Sequence, residues 1–302
     1  MRNSAAPFDE IPLPRDILGV IGGSGLYDLP GLTDLRRERV ATPFGEPSDA
    51  YLLGRLGAQE LVFLPRHGVG HRLLPTEVNA RANVHGMKQL GVTRLISVSA
   101  VGSMREQIAP GHLVFPDQYI DRTFARPKTF FGDGVAAHVA FADPVCGALR
   151  SHLLGAARAA GATSHDGGSY LCIEGPQFST RAESALYRSW GVSIIGMTAM
   201  PEAKLAREAE LCYATVALAT DYDCWYEGHD AVTVAQVVET MHKNVAVARD
   251  VILRAAQTLG SLGERGCACA HALDHAVMTA PTSIPPSARE RLSLLLGDRY
   301  RS

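Results

Sequence analysis

Several things are scarce in this 302-residue chain, and each scarcity removes a class of function. Charge of one sign is missing. Lysine and arginine number 29 against 31 aspartates and glutamates, and no basic run is interleaved with aromatics, so a nucleic-acid surface is not indicated. Long apolar runs are missing too, because the longest carry polar interruptions and fall short of a bilayer span. Residues 1–10 lack the apolar core of a signal peptide, which makes the cytoplasm the expected compartment. Six cysteines in a chain this long do not amount to a disulfide framework. No internal repeat and no low-complexity linker occur. What remains is a chain with 46% hydrophobic and 20% charged residues, enough for a sizeable core and too apolar for general disorder.

Apolar runs alternate with helical patterns. Ile17–Ile21, Glu60–Leu64, Arg94–Ser99, His112–Phe115, Ser169–Ile173, Val192–Ile195 and Tyr213–Ala219 read as strands. Helices are expected over Thr76–Leu90, from the cap Asp143 before Pro144 to Ala160, from the capping box Thr180–Glu183 to just before Gly191, and briefly from Pro201. A second capping box, Thr233–Gln236, opens a long amphipathic helix through Met241, Val245, Ala248, Ile252 and Leu259. The alternation predicts an α/β protein, a single domain with a central mixed β-sheet flanked by helices. Its expected limits are 17–262, after a Pro-containing arm (1–16) and before a partly helical tail (263–302).

Chemistry-bearing residues gather where the strands run out. Gly22-Gly23-Ser24-Gly25 follows the first strand, and its N–H groups and the Ser24 hydroxyl suit an anion. It is not a dinucleotide fingerprint, since the third glycine position is Asp28, and no Walker lysine follows. Arg66-His67 follows the strand ending at Leu64 and suits an oxyanion, although an Arg in a loop is also simply solvated. Ser97–Ser103 dissolves into small hydroxyl residues and glycine, which lets a ligand approach the backbone near Ser99; read alone it is a tight turn. Phe178 lies between a strand end and a helix cap and could stack on a heterocycle or fill the core. Met197 and Thr198 precede a helix start, where an anion is favoured, yet a core methionine and a plain cap fit as well.

The most informative stretch is Leu218–Trp225, where an apolar strand ends in Asp221 and Asp223. Extended chain would point both carboxylates one way. Buried together, such a pair raises one pKa and keeps one acid protonated near neutrality. The plain alternative is a cap and turn. In open α/β sheets ligands bind at this strand edge, so the anion-seeking and ring-seeking segments together imply phosphate and a nucleoside. Cys267-Ala268-Cys269 stands apart in the tail. Free thiols are expected first, a reversible disulfide second and a metal site last, because His271 and His275 match no standard finger and further ligands would be needed.

Gly22–Leu26, Thr42–Gly45, Arg66–Gly68, Asp121–Thr123, Glu174–Pro176 and Asp221–Trp225, in this order, resemble the trimeric class of the purine nucleoside phosphorylase superfamily. The resemblance covers nearly everything from Ile17 to about Leu259 and is strongest toward the branch acting on 5'-methylthioadenosine. It implies that Ser24, Arg66, His67, Ser99, the backbone at Ala100, and Thr198 hold inorganic phosphate as co-substrate, with no cofactor and no metal. It implies Met197 against the ribose, Phe178 and Ser179 beside the base, and Asp221 and Asp223 on the purine. His138 matches a residue lent across a subunit interface, in a homotrimer or a hexamer, and Val237 and Val238 match the lining of the 5' pocket. Members often carry Thr where Ser24 and Ser99 stand, which keeps the hydroxyl, and Arg where Gln177 stands. The cysteine pair of the tail is similar to a feature of some prokaryotic and archaeal members.

The implied reaction is phosphorolysis of an N-glycosidic bond, with Asp223 as general acid toward N7 and Asp221 ordering the 6-amino end. Three rivals remain at this level. A phosphorylase for 6-oxopurine nucleosides would be expected to carry Asn near the aspartates, a hydrolytic nucleosidase needs no anion cradle, and a non-catalytic nucleoside-binding module needs no apposed carboxylates.

Overall fold

The computed structural model describes residues 16–23, 25–226 and 234–297, and only the backbone of 234–239, 241 and 242. The apolar run at its start forms β1 (Ile17–Gly22), buried on both faces and flanked by β4 (Gln59–Pro65) and β5 (Val92–Ser103), both parallel to it. β2 (Leu32–Glu38) and β3 (Tyr51–Leu56) extend the β4 side antiparallel. On the other side β5 meets β10 (Ile194–Gly196), then β9 (Ser169–Ile173) and β7 (Gln118–Arg122). β11 (Cys212–Asp221) lies parallel to β5 and carries β6 (Leu113–Phe115) and β8 (Ser164–Asp166) beyond it. Parallel and antiparallel ladders coexist, so the sheet is mixed, as expected.

Side chains alternate across the sheet and feed two cores. Ile21, Leu95, Tyr213 and Ala217 pack with α1 (Ala80–Gln89), α4 (Ala199–Glu208) and the tail residues Leu273, Ile284, Leu292 and Leu296. Leu18, Val20, Ile96, Ala214 and Val216 pack on the opposite face with α2 (Gly147–Ala159) and α5 (Val234–Thr258). The period of two along β1, β5 and β11 thus sets which helices each residue meets. α3 (Arg181–Ser189) covers the β9–β10 end. α6 (Pro286–Arg291) and α7 (Ser293–Leu296) close the described tail.

Two helix starts differ from the sequence expectation. α1 begins at Ala80, because Asn79 accepts from Ala82 N–H as its cap while Glu77 caps the preceding turn at Leu74 N–H. α2 begins at Gly147 and not after Asp143, because Cys146 N–H is already bonded to the Tyr213 carbonyl and the chain is held to β11 until there. α4 spans Ala199–Glu208 with a break at Met200 (φ −114°, ψ 135°), so its regular helix runs from Pro201, where the sequence places it. The Thr180–Glu183 capping box forms with both of its hydrogen bonds. The box proposed at Thr233 lies outside the described residues.

One feature of the sheet positions everything that follows. β1 pairs with β5 only as far as Ile21 opposite Ser97, and β10 joins β5 only at Gly102 and Ser103. Between them, at Val98–Val101, β5 has β11 on one flank and no described strand on the other. The sheet forks there and leaves an open backbone edge.

Candidate functional site

Arg66 lies across the fork. It follows β4 directly, and its guanidinium is buried. Nη1 donates to the Val98 carbonyl at 2.9 Å, and Nη2 donates to the Ile21 carbonyl at 3.1 Å and to Ser97 Oγ at 2.7 Å. Nε and Nη2 also grip the two oxygens of Glu202, each at 3.0 Å. Burial works against the charge of Arg66, but the Glu202 carboxylate outweighs it and holds the guanidinium protonated. Of its five N–H donors, one on Nη1 has no partner among the described residues.

His67 sits beside it. Its Nδ1 lies 2.9 Å from the Leu73 carbonyl, which can only accept, so the proton belongs on Nδ1 and Nε2 presents its lone pair. Burial, reinforced by the Arg66 charge, holds the ring down at about 4, so it is neutral at pH 7. A neutral imidazole with a free lone pair suits an oxyanion that still carries a hydroxyl. Ser99 and Thr198 meet through a residue the sequence reading missed: Tyr170 Oη lies 3.5 Å from Ser99 Oγ and 3.2 Å from Thr198 Oγ1. Thr198 makes no capping bond with its own hydroxyl, which leaves that group at the N-terminus of α4 for a ligand. Arg66, His67, Met197 and Thr198 line one cavity with Arg126 and Glu202.

A second buried ion pair shapes the far wall. Arg126 Nε donates to Glu174 at 2.9 Å, while its Nη atoms donate to the carbonyls of Met197, Met200 and Glu174. Burial raises the Glu174 pKa, but backbone N–H bonds from Phe124 and Ala125 and the Arg126 contact bring it below the ordinary value. Gly175, in the left-handed region at φ 70°, presses on Met197; a Cβ there would stand 2.5 Å from its sulfur. Arg126 and Gly175 therefore fix where Met197 lies.

The aspartates close the other end. Asp221 pairs with Gly102 at the tip of β11, and a Cβ on Gly102 would meet both Asp221 Oδ1 at 2.9 Å and Asp223 Cβ at 3.5 Å. The glycine makes room for the pair. The expectation that an extended strand aligns the two carboxylates is not met: β11 stops at Asp221, and Asp223 takes a left-handed turn at φ 54°. Asp221 Oδ1 accepts from Asp223 N–H at 2.7 Å, an Asx turn, so the plain turn reading and the paired-acid reading both hold. Thr220 donates to Asp221, and Ser184 of α3 donates to Asp223. Burial raises the pKa of both, and the Asp221 charge raises Asp223 further. Trp225 Nε1 donates to the Ser103 carbonyl at 2.7 Å and pins the turn.

Phe178 is 61% exposed, and Cys224 Sγ donates to the carbonyl of its neighbour Ser179. The Ser179 hydroxyl is shielded from solvent and has no partner among the described residues. Ala100 stands on the open edge of β5. His138 is not brought to these residues within the described chain: it is exposed and held to the tail by its N–H bond to the Ala276 carbonyl. Ser24 and the side chains of Val237 and Val238 lie outside the described residues. The sequence reading missed Glu202 as a partner, along with Arg126, Tyr170 and Ser184. Glu202 lies 136 residues from Arg66, and no local signal joins the two.

Known proteins resemble this chain along nearly its whole length. An S-methyl-5'-thioadenosine phosphorylase of Geobacter sulfurreducens is 61% identical over 284 residues, spanning 94% of this chain and 99% of that protein. One of Koribacter versatilis is 55% identical over 283 residues, spanning 94% and 96%. A methylthioadenosine phosphorylase from an Antarctic soil metagenomic library superposes with a TM-score of 0.89 at 46% identity, over 94% of this chain and all of that one. An adenosine/methylthioadenosine phosphorylase variant of Schistosoma mansoni, solved with methylthioadenosine, superposes with a TM-score of 0.79 at 37% identity over 85% and 96%. The sequence profile of the phosphorylase superfamily matches residues 17–257, and with relatives this similar the chain belongs to that superfamily.

Proposed function

We propose that this chain cleaves 5'-methylthioadenosine with inorganic phosphate, giving adenine and 5-methylthioribose 1-phosphate. The observation that carries the reading is the pairing of an anion cradle at the β5 fork with a buried, pKa-raised carboxylate pair at the tip of the adjacent strand. Relatives named for this activity at 50–61% identity support it.

In this mechanism the C1'–N9 bond loosens first and leaves an oxocarbenium-like ribosyl group. A phosphate oxygen bonds to C1', while the N9 bonding pair withdraws into the adenine ring. Arg66, Ser24, Ser99, Thr198 and the Ala100 N–H hold the phosphate, and His67 Nε2 accepts from its hydroxyl. Because Glu202 and Glu174 already balance Arg66 and Arg126, the cradle relies on dipoles and hydroxyls as much as on net charge. Asp223, protonated, gives its proton to N7, and Asp221 accepts from the 6-amino group. Phe178 and Ser179 border the base, and Met197 lies under the ribose. The 5' pocket takes Val237 and Val238 from α5 and His138 from a neighbouring copy, in a trimer or a hexamer. Residues 17–262 are the catalytic domain, and the enzyme works in the cytoplasm without a cofactor.

The test is release of adenine or hypoxanthine from methylthioadenosine, adenosine and inosine, with and without phosphate. Adenine release from methylthioadenosine that requires phosphate is expected. Equal rates without phosphate would sink the phosphorolytic reading, and a preference for inosine would sink the 6-aminopurine assignment.

A further inference from the structure

Four cysteines from three distant stretches of chain converge on one point away from the site just described. Cys146 is the N-cap of α2, Cys212 opens β11, and Cys267 and Cys269 belong to the tail. Cys146, Cys212 and Cys269 are buried and Cys267 is half-buried. Their sulfurs all lie within 4.8 Å of one another, with Cys212 to Cys267 at 3.3 Å and Cys146 to Cys267 at 3.9 Å. From sequence, the CxC pair ranks as free thiols first, a reversible disulfide second and a metal site last, for want of further ligands. The fold supplies them.

We propose that Cys146, Cys212, Cys267 and Cys269 form a tetrathiolate site for one zinc ion. A tetrahedron of Zn–S bonds of about 2.3 Å has edges of about 3.8 Å, and the spacings of 3.3 and 3.9 Å within a 4.8 Å envelope bracket that value. Four sulfurs all within 4.8 Å of one another can share one ion, whereas pairwise bonding would leave this fourfold convergence unexplained. An all-sulfur donor set in tetrahedral array excludes calcium and magnesium, which take oxygen. On binding, each thiol releases its proton to solvent and the ion takes four thiolates. The N-terminus of α2 at Cys146 favours the resulting negative charge. All four positions are filled by protein, so the ion is structural and has no open place for substrate.

Its reach explains a use. Asp221 lies nine residues along β11 from Cys212, roughly 30 Å in extended chain, so the ion stands at the opposite end of the sheet from the chemistry. It ties the tail to β11 and α2. That tail runs on to Ala276–Thr279, which brackets the His138 segment: His138 N–H donates to Ala276, Met278 N–H donates to Ala136, and Ala136 N–H donates to Thr279 Oγ1. The ion therefore anchors the strap that carries His138.

Elemental analysis of the reduced, full-length protein, purified without added metal, is expected to give one zinc per chain. A mercurial should release it to a colorimetric chelator. Cobalt exchanged into the site should show thiolate charge-transfer and tetrahedral visible bands. The Cys267→Ser/Cys269→Ser variant should lose more than nine-tenths of the zinc and melt at lower temperature. If that variant does not fold, the wild-type measurements decide alone. Native protein whose four thiols react freely without releasing metal, or whose unreduced mass shows disulfides among these cysteines, would overturn the proposal.

Discussion

Asp223 has to be protonated to act as the proposed acid, and its surroundings favour that state. Burial raises its pKa, with the Asp221 charge adding to the shift. The maximal rate is therefore expected to be full below the raised value and to fall as pH rises through it; a pH profile of kcat that rises over that limb would contradict the role. Asp223→Asn should lower kcat by at least a hundredfold, within the usual range for losing a general acid, while the KM for phosphate changes little. Stability follows the same pH direction. A carboxyl whose folded pKa lies above its unfolded value stabilises fully below the unfolded value and loses that contribution as pH rises through the folded one. Above the raised values the ionised carboxylates are a burden, so in that range Asp221→Asn and Asp223→Asn should raise the urea midpoint while activity drops. The buried Arg66–Glu202 pair gives the opposite pattern: Glu202→Ala leaves an uncompensated guanidinium and should cost about 3–5 kcal/mol in urea unfolding.

The elements differ in how openly the sequence announces them. β1, β4, β5, β9 and β11 are buried on both faces, so they read as plain apolar runs. β2 went unread because it is an exposed edge strand with four charged residues in seven, and its identity comes from pairing with β3. Within the site, residues at strand ends were legible because glycine, hydroxyl and charged groups interrupt apolar runs there. Their supports were not: Tyr170 reads as one more core aromatic, and Arg126 finds Glu174 only through the fold. The tip of β11 shows the limit most clearly. An alternating pattern predicts aligned carboxylates, while the Asx turn at Asp221 rotates Asp223 out of the strand. α3 offers a test at this scale. Its capping box holds the helix start beside Phe178 and Ser179, so Thr180→Ala should cost about 1 kcal/mol by urea unfolding and raise the KM for nucleoside more than that for phosphate.

Across the whole molecule, the proposed site draws on a second copy. His138 is exposed and braced by the tail in a single chain, so activity should fall on dilution below the association range, and His138→Ala should raise the KM for methylthioadenosine with little effect on phosphate. Sedimentation measured beside the assay checks this, and a fully active monomer would contradict it. Arg66 has a wider bearing still. Where the ladder between β1 and β5 gives out, its guanidinium stitches Ile21 to Val98 and stands in for the missing rungs. In the proposed mechanism, substrate capture and fold cohesion thus hang on one side chain and cannot be tuned apart. If the proposed cradle is right, a chain under selection to loosen its grip on phosphate would do so at groups other than Arg66, such as the hydroxyls of Ser99 and Thr198, because altering the arginine would unseam the sheet.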